Sequence, residues 1–89
     1  MKYRLDYTDK AGKDIAFHKK SGNISVIKKL FKLLTEIADH PYTGTGKPEQ
    51  LKFQLVGLWS RRLNKEHRIV YEVREDLKVV IVHSSKGHY

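Results

Sequence analysis

Apolar residues between positions 24 and 38 recur at the three- and four-residue spacing of one helix face, which predicts an amphipathic helix. Asn23 is placed to cap its start. The helix is expected to end at His40-Pro41, because the residue before a proline avoids the helical region. The predicted buried stripe comprises Ile24, Ile27, Phe31, Leu34 and Ala38, widened by Leu30, Leu33 and Ile37.

A shorter helix is predicted before this one, from about residue 9 to residue 20. Thr8 is placed to serve as its N-cap and Gly22 as its stop. Because so few residues separate the two helices, they should form an antiparallel hairpin. In front of them, residues 1–7 alternate between apolar and polar side chains, which is typical of a half-buried strand.

Four further strands are predicted after the helices. Alternation, or a short apolar run bounded by turn residues, marks positions 51–55, 58–63, 67–74 and 77–83. Residues 79–82 are apolar without alternation, so both faces of this strand are expected to be covered, as in the interior of a sheet. The short turns between these strands favour antiparallel pairing.

These elements predict one α+β domain over residues 1–89, in the order β-α-α-β-β-β-β. Two N-terminal helices should pack on one face of a twisted antiparallel β-sheet. The other face, which carries Lys52 and Arg68, would remain available to a partner.

Composition narrows the function classes. The chain has no cysteine, so disulfides and thiolate metal sites are excluded, and a reducing, cytoplasmic location is expected. No apolar run reaches the roughly 18 residues of a membrane span, and the N-terminus lacks a signal-peptide core.

The glycines before Lys47 lack the P-loop spacing, and no histidine pair has a zinc-site spacing. No cofactor is therefore implied. The remaining histidines are interpreted as structural: His18, His40, His67 and His83.

Charge points to a polyanionic or acidic partner. The 18 Lys and Arg residues outnumber the 10 Asp and Glu residues, which gives a net charge of +8. The excess is spread along the chain rather than held in a tail, as in a folded domain that binds nucleic acid, an anionic membrane or an acidic protein. A merely soluble basic protein is the plainer alternative.

A carboxylate, a guanidinium and an imidazole could cleave RNA without a metal. One group must take the proton of a ribose 2′-hydroxyl, a cation must stabilise the phosphorane, and an acid must protonate the leaving 5′-oxygen. Glu49, Arg68 and His88 could fill these roles if their strands are neighbours. Taken singly, Glu49 could be a solvated loop acid, Arg68 a strand ion-pair partner and His88 part of a frayed tail.

Other residues are candidates for holding the RNA strand. Tyr89 has no obvious core to join, so stacking on a base or contact with phosphate is predicted. Trp59 is interpreted as core in preference to a base-stacking platform. Gly87 is expected to give the chain before His88 conformational freedom. The predicted phosphate contacts are Lys52, Arg61, Arg62 and Lys86.

Several segments together resemble one protein family. GKPEQLK (46–52), WSRR (59–62), EHRIVY (66–71) and the closing His88-Tyr89 resemble the YoeB/Txe toxins of type II toxin–antitoxin modules, which lie within the RelE-like superfamily. The resemblance covers nearly the whole chain. It implies the RelE-like microbial RNase fold.

The resemblance also implies a function. Members of this family are ribosome-dependent mRNA endonucleases that cut mRNA in the A site of the 70S ribosome and so inhibit translation. By resemblance, Glu49 would be the general base, Arg68 the phosphate-stabilising group and His88 the general acid, while Tyr89 would help to hold the RNA. A homodimer and neutralisation by a YefM/Axe-like antitoxin are implied as well. The alternative from charge alone is a non-catalytic basic module that binds RNA or protein.

Overall fold

The computed structural model describes residues 2–87 of the chain. Its helices and strands occur in the predicted order. They are β1 (Arg4–Tyr7), α1 (Asp9–Ser21), α2 (Ile24–Asp39), β2 (Glu49–Gln50), β3 (Leu58–Arg62), β4 (Arg68–Arg74) and β5 (Val79–Ser84), with a 3-10 turn at Phe53–Leu55 between β2 and β3.

The two helices begin and end where the capping residues predict. The Thr8 hydroxyl accepts a hydrogen bond from the Ala11 amide at 3.1 Å, and the Asn23 side chain accepts one from the Val26 amide at 3.2 Å. Gly22 adopts φ +75°, the left-handed conformation that ends a helix most readily at glycine. The cap residues therefore fix both the length of α1 and the start of α2.

The five strands form one sheet in the order β1-β5-β4-β3-β2. The pairings of β5 with β4, β4 with β3 and β3 with β2 are antiparallel, as predicted. The prediction of antiparallel pairing throughout is wrong for β1, which lies parallel to β5 with Leu5 opposite Val80. No short turn joins these two strands, so the turn argument did not apply to them. As predicted, β5 lies inside the sheet.

One face of the sheet packs against the helices and forms the core. On α2 the buried side is rotated from the predicted stripe: Ile24 is 59% exposed and Phe31 also faces solvent. The spacing could not show which side of the helix faces the sheet. The core cluster comprises Tyr3, Ala11, Leu30, Leu33, Leu34, Ile37, Leu63, Ile69, Tyr71, Val80 and Val82.

The strand predicted at residues 51–55 is wrong. Pairing with β3 covers only Glu49 and Gln50, and the chain then enters the 3-10 turn with Phe53 at φ +59°. The Phe53 side chain is 90% exposed. Alternating apolar residues are typical of a strand with one buried face. Here the chain leaves the sheet after Gln50, so residues 51–55 do not form such a strand. Gly57, at φ +96°, then begins the approach to β3.

Within residues 2–87, neither helix is both long enough and apolar enough to cross a lipid bilayer.

Candidate functional site

A carboxylate and a guanidinium meet at one end of the sheet, on the face opposite the helices. Glu49 lies opposite Ser60 in the ladder, and Arg68 lies opposite Arg62. Because alternate residues of a strand point to opposite faces, the side chains of Glu49 and Arg68 lie on the same face of the sheet. Trp59 and Tyr71 lie on the other face. Arg68 Nη1 lies 3.5 Å from Glu49 Oε1. The arginine side chain is 19% exposed and the glutamate 53%, so a ligand can reach both.

The loop between α2 and β2 sets the position of Glu49. Gly46 accepts a hydrogen bond through its carbonyl oxygen from the Arg62 amide at 2.7 Å. A Cβ atom at Gly46 would lie 2.8 Å from the Arg62 carbonyl oxygen, and φ is +88° there. Only glycine therefore allows the loop to approach β3 this closely. The loop and the first residue of β2 are held against the strand that precedes Arg68.

The predicted phosphate contact is wrong for Arg61. Its side chain is 0% exposed. Its Nε donates to the Tyr71 hydroxyl at 3.2 Å, and its Nη1 donates to Glu36 Oε1 at 3.1 Å. Further donors reach the carbonyl oxygens of Thr45 at 3.3 Å, Thr43 at 2.7 Å and His40. The guanidinium is thus committed to the loop that carries Glu49.

Glu36 completes this buried cluster. Its carboxylate accepts hydrogen bonds from the Thr45 amide at 2.9 Å and the Thr45 hydroxyl at 3.0 Å. The Thr45 amide, followed by the Thr45 hydroxyl and the charge of Arg61, holds the pKa of Glu36 below its ordinary value against the effect of burial. The side chain of Glu36 therefore stays ionised beside Arg61.

The other predicted phosphate contacts are exposed but differ in position. Arg62 lies next to the Glu49–Arg68 pair through its register with Arg68. Lys52 is exposed just before the 3-10 turn. Lys86 Nζ lies 4.0 Å from the centroid of the Phe17 ring, a cation–π contact on the α1 side of the C-terminal segment. All three charges remain accessible to a polyanion.

Residues 85–87, which follow β5, are held rather than loose. The Gly87 carbonyl oxygen accepts a hydrogen bond from the Arg68 amide at 3.1 Å, and the Gly87 amide donates to His67 Nδ1 at 2.8 Å. Gly87 adopts φ +79°. The predicted freedom at this glycine is therefore wrong: both of its backbone groups are bonded, and glycine supplies the left-handed turn. His88 and Tyr89, predicted as general acid and RNA contact, lie outside the described residues.

The remaining histidines and Trp59 make structural contacts. His18 Nε2 lies 2.7 Å from the Ser85 carbonyl oxygen, and His83 Nε2 lies 3.1 Å from Glu72 Oε1. Trp59 is half-buried, packs on the core and lies with its ring 5.0 Å from that of Tyr42. Sequence reasoning gave no role to Asp14, whose carboxylate accepts from the Ser85 amide at 3.0 Å. A polar pair one turn apart in α1, Asp14 and His18, was the available signal.

Among the described residues, no group of three or more histidine or acidic side chains could hold a metal ion. What the arrangement offers is a carboxylate beside a guanidinium, with the backbone of Gly87 bonded to the amide of Arg68. Such a pair can accept a proton and bind a phosphate.

Several known proteins similar to this chain carry the name YoeB. A family model for the YoeB-like toxin of bacterial type II toxin-antitoxin system matches residues 7–89. A protein named Toxin YoeB from Streptomyces coelicolor is 36% identical over 86 residues, which cover 97% of this chain and 99% of that protein. The solved YoeB dimer from Staphylococcus aureus superposes with a TM-score of 0.85 at 33% identity, covering 100% of both chains. The structure of a YoeB-YefM complex from the same organism gives a TM-score of 0.83 at 34% identity and also covers 100% of both chains.

Proposed function

Because the chain belongs to the family of YoeB-like toxins of bacterial type II toxin–antitoxin systems, we propose that it is an endoribonuclease. Its substrate is mRNA in the A site of the translating ribosome, and its effect is to stop translation in the cytoplasm. The observation that carries the proposal is the Glu49–Arg68 pair, 3.5 Å apart on the face that the helices leave open.

The proposed reaction needs no metal. Glu49 takes the proton of the ribose 2′-hydroxyl, and the 2′-oxygen attacks the adjacent phosphorus. The P–O5′ bond breaks, leaving a 2′,3′-cyclic phosphate and a 5′-hydroxyl. Arg68 stabilises the charge that develops on the phosphorane, His88 gives its proton to the leaving 5′-oxygen, and Tyr89 holds the RNA. Each positioned acid or base is worth about 100- to 10,000-fold in rate.

Binding of the strand draws on the surrounding charge. Arg62, opposite Arg68 in the ladder, and the exposed Lys52 and Lys86 supply phosphate contacts. Such contacts position the RNA without reading its sequence. A net charge of +8 supports association with ribosomal RNA in the same way.

The chain's protein partners follow from its relatives. The Staphylococcus aureus YoeB proteins were solved as a dimer and as a complex with YefM. We therefore propose a homodimer, and a YefM/Axe-like antitoxin that neutralises it.

The test is translation of a defined mRNA in a purified system, followed by mapping of the mRNA 5′ ends. The proposal predicts new ends within the coding sequence when the protein and ribosomes are both present, and none when ribosomes are omitted. The His88→Gln variant should bind ribosomes but produce no new ends. Cleavage by that variant at the parental rate would overturn the assignment of His88.

The rival function is a basic binding module without chemistry, which the charge alone favours equally. It predicts ribosome or RNA affinity that falls steeply with salt, and no cleavage product under any condition. Absence of new 5′ ends at protein concentrations that saturate the ribosomes would favour this rival and overturn the nuclease.

A further inference from the structure

Three side chains outside the C-terminal segment hold its backbone. The Ser85 amide donates to Asp14 Oδ2 at 3.0 Å, and His18 Nε2 donates to the Ser85 carbonyl oxygen at 2.7 Å. Two residues later, the Gly87 amide donates to His67 Nδ1 at 2.8 Å. Every one of these bonds is made to main-chain atoms of Ser85 or Gly87, so the backbone at these two residues is held independently of their side chains.

The first two of these side chains come from one face of α1. Asp14 and His18 lie one helical turn apart and are 6% and 2% exposed. Lys10 Nζ lies 2.8 Å from Asp14 Oδ2 and offsets the charge of that carboxylate. At the start of the same helix, the Thr8 hydroxyl donates to the His83 carbonyl oxygen at 3.0 Å. The helix therefore holds the chain both within β5 and just after it.

The third side chain links this segment to the candidate active site. Gly87 is bonded through its amide to the His67 side chain and through its carbonyl oxygen to the Arg68 amide. Arg68 in turn contacts Glu49 with its guanidinium. The backbone at Gly87 is therefore bonded to Arg68, whose guanidinium also pairs with Glu49.

We propose that Asp14, His18 and His67 form a tail clamp, a set of positioning residues that fix the backbone of residues 85–87, from which the chain continues to His88 and Tyr89. The proposal rests on the proposed nuclease function. Without these hydrogen bonds, the backbone of residues 85–87 would be less restrained. Misplacing a catalytic group by about 1 Å can cost about 100-fold in rate, so a clamp at Ser85 and Gly87 has a direct catalytic consequence.

The hydrogen bonds also assign the proton at one nitrogen of each imidazole. His67 accepts through Nδ1, so that nitrogen carries no proton. His18 donates through Nε2, so that nitrogen carries one. The two rings meet edge to face with centroids 4.8 Å apart. An asparagine at position 67 could replace the acceptor, because its side-chain oxygen can take the place of Nδ1, whereas alanine could not.

The experiment compares His67→Ala with His67→Asn in single-turnover mRNA cleavage on programmed ribosomes. Measurements at saturating and subsaturating ribosome concentrations separate the cleavage rate from binding. His67 is suitable because it is only partly buried, so the substitution should leave the fold intact. The matched control is His40→Ala, which removes an exposed imidazole at the end of α2. Thermal unfolding of each variant checks the fold.

The tail clamp predicts that His67→Ala lowers the saturated cleavage rate about 10- to 100-fold with little change in ribosome affinity. His67→Asn should recover most of the loss, and His40→Ala should cleave like the parent. Parental cleavage by His67→Ala would overturn the clamp while leaving the nuclease function intact. An inactive parent would overturn both, because the clamp would then have no reaction to serve.

A second measurement is independent of activity. Nitrogen-15 NMR of the parent should show His67 with Nδ1 unprotonated and a slowly exchanging Gly87 amide. His67→Ala should speed exchange at Gly87, and His67→Asn should restore protection. Rapid exchange at Gly87 in the parent would contradict the clamp even if cleavage is observed.

Discussion

Arg61 and Arg68 carry the same guanidinium on neighbouring strands, but the two faces of the sheet give them different surroundings. Arg61 shares the face of Tyr71 and is enclosed by the loop before β2, where its guanidinium donates to the Tyr71 hydroxyl, to Glu36 and to three carbonyl oxygens. Arg68 shares the face of Glu49 and remains 19% exposed. Alternate residues of a strand point to opposite faces of the sheet. The position of each arginine in its strand therefore decides that Arg61 holds the loop and that Arg68 can contact a phosphate.

The two sides of the sheet are connected through the loop before β2. The loop that Arg61 holds on the helix side ends in Glu49, which pairs with Arg68 on the open side. The Arg61 cluster thus supports the position of the more exposed Glu49–Arg68 pair. Substitutions on the open face should reduce activity and spare stability, and substitutions in the Arg61 cluster should first reduce stability.

The largest effect is expected for Glu49→Gln. This change removes the proposed base while keeping the shape of the side chain, so the cleavage rate should fall about 100- to 10,000-fold. Single-turnover cleavage on ribosomes measures the rate. The thermal midpoint should match the parent, because Glu49 is half exposed. A variant that cleaves like the parent would show that another group takes the proton.

Arg61→Ala should have the next largest effect, on folding. It removes the buried partner of a partly buried ion pair, takes away one donor to Glu36, and leaves three carbonyl oxygens without the guanidinium that donates to them. The expected loss is about 3 kcal/mol in the free energy of unfolding, measured by urea denaturation. The adjacent Arg62→Ala is the matched control and should change stability by less than about 0.5 kcal/mol. Equal losses in the two variants would contradict the assignment of faces.

An exposed carboxylate provides a second anchor for the same loop, and it should respond to pH. Glu75 accepts hydrogen bonds from Tyr42, in the loop, and from Tyr3, and Lys78 lies 3.1 Å away. In that order, these groups lower the pKa of Glu75 from 4.5 to about 2. A lowered folded pKa stabilises the fold above the unfolded value and loses that effect as pH falls toward 2.

The thermal midpoint should therefore decline between about pH 4.5 and pH 2, and Glu75→Gln should show a shallower decline. Thermal unfolding followed by circular dichroism across this range makes the measurement. Parallel curves for parent and variant would mean that Glu75 does not contribute. Lys65→Gln, at an exposed turn position, is the control for a change in surface charge.

The smallest effect is expected for Arg62→Ala on RNA binding. Losing one phosphate contact should weaken affinity across sequences and reduce the slope of log affinity against log salt by about one. Ribosome binding at several salt concentrations gives that slope. Arg61→Lys, which keeps a buried positive charge, should leave the slope unchanged. An unaltered slope for Arg62→Ala would place the RNA elsewhere.

Local signals in the sequence predicted most of the fold. Thr8, Gly22 and Asn23 act through bonds within a few residues, so the helix ends could be read directly. The parallel pairing of β1 with β5 depends on contacts between distant residues, which a short window of sequence does not contain. Similarly, the alternation at residues 51–55 could not show that pairing with β3 ends after Gln50.

The candidate site was predictable only in part. Glu49 and Arg68 were identified from their chemistry and from resemblance, and the structure brings them together. Arg61 was misassigned because two consecutive arginines in a strand must face opposite ways, and the sequence does not say which way the helices lie. His67 was interpreted as structural. Its bond to Gly87 joins residues 20 positions apart, beyond the reach of any spacing rule.

The most direct test of the account is the single-turnover cleavage rate of Arg68→Lys at saturating ribosome concentration. Lysine keeps the charge but loses the planar guanidinium that can bind two phosphate oxygens at once. The cleavage rate should fall at least about 100-fold, while the free energy of unfolding and the ribosome affinity stay close to those of the parent. Cleavage at the parental rate by this variant would contradict the assignment of Arg68 to the scissile phosphate.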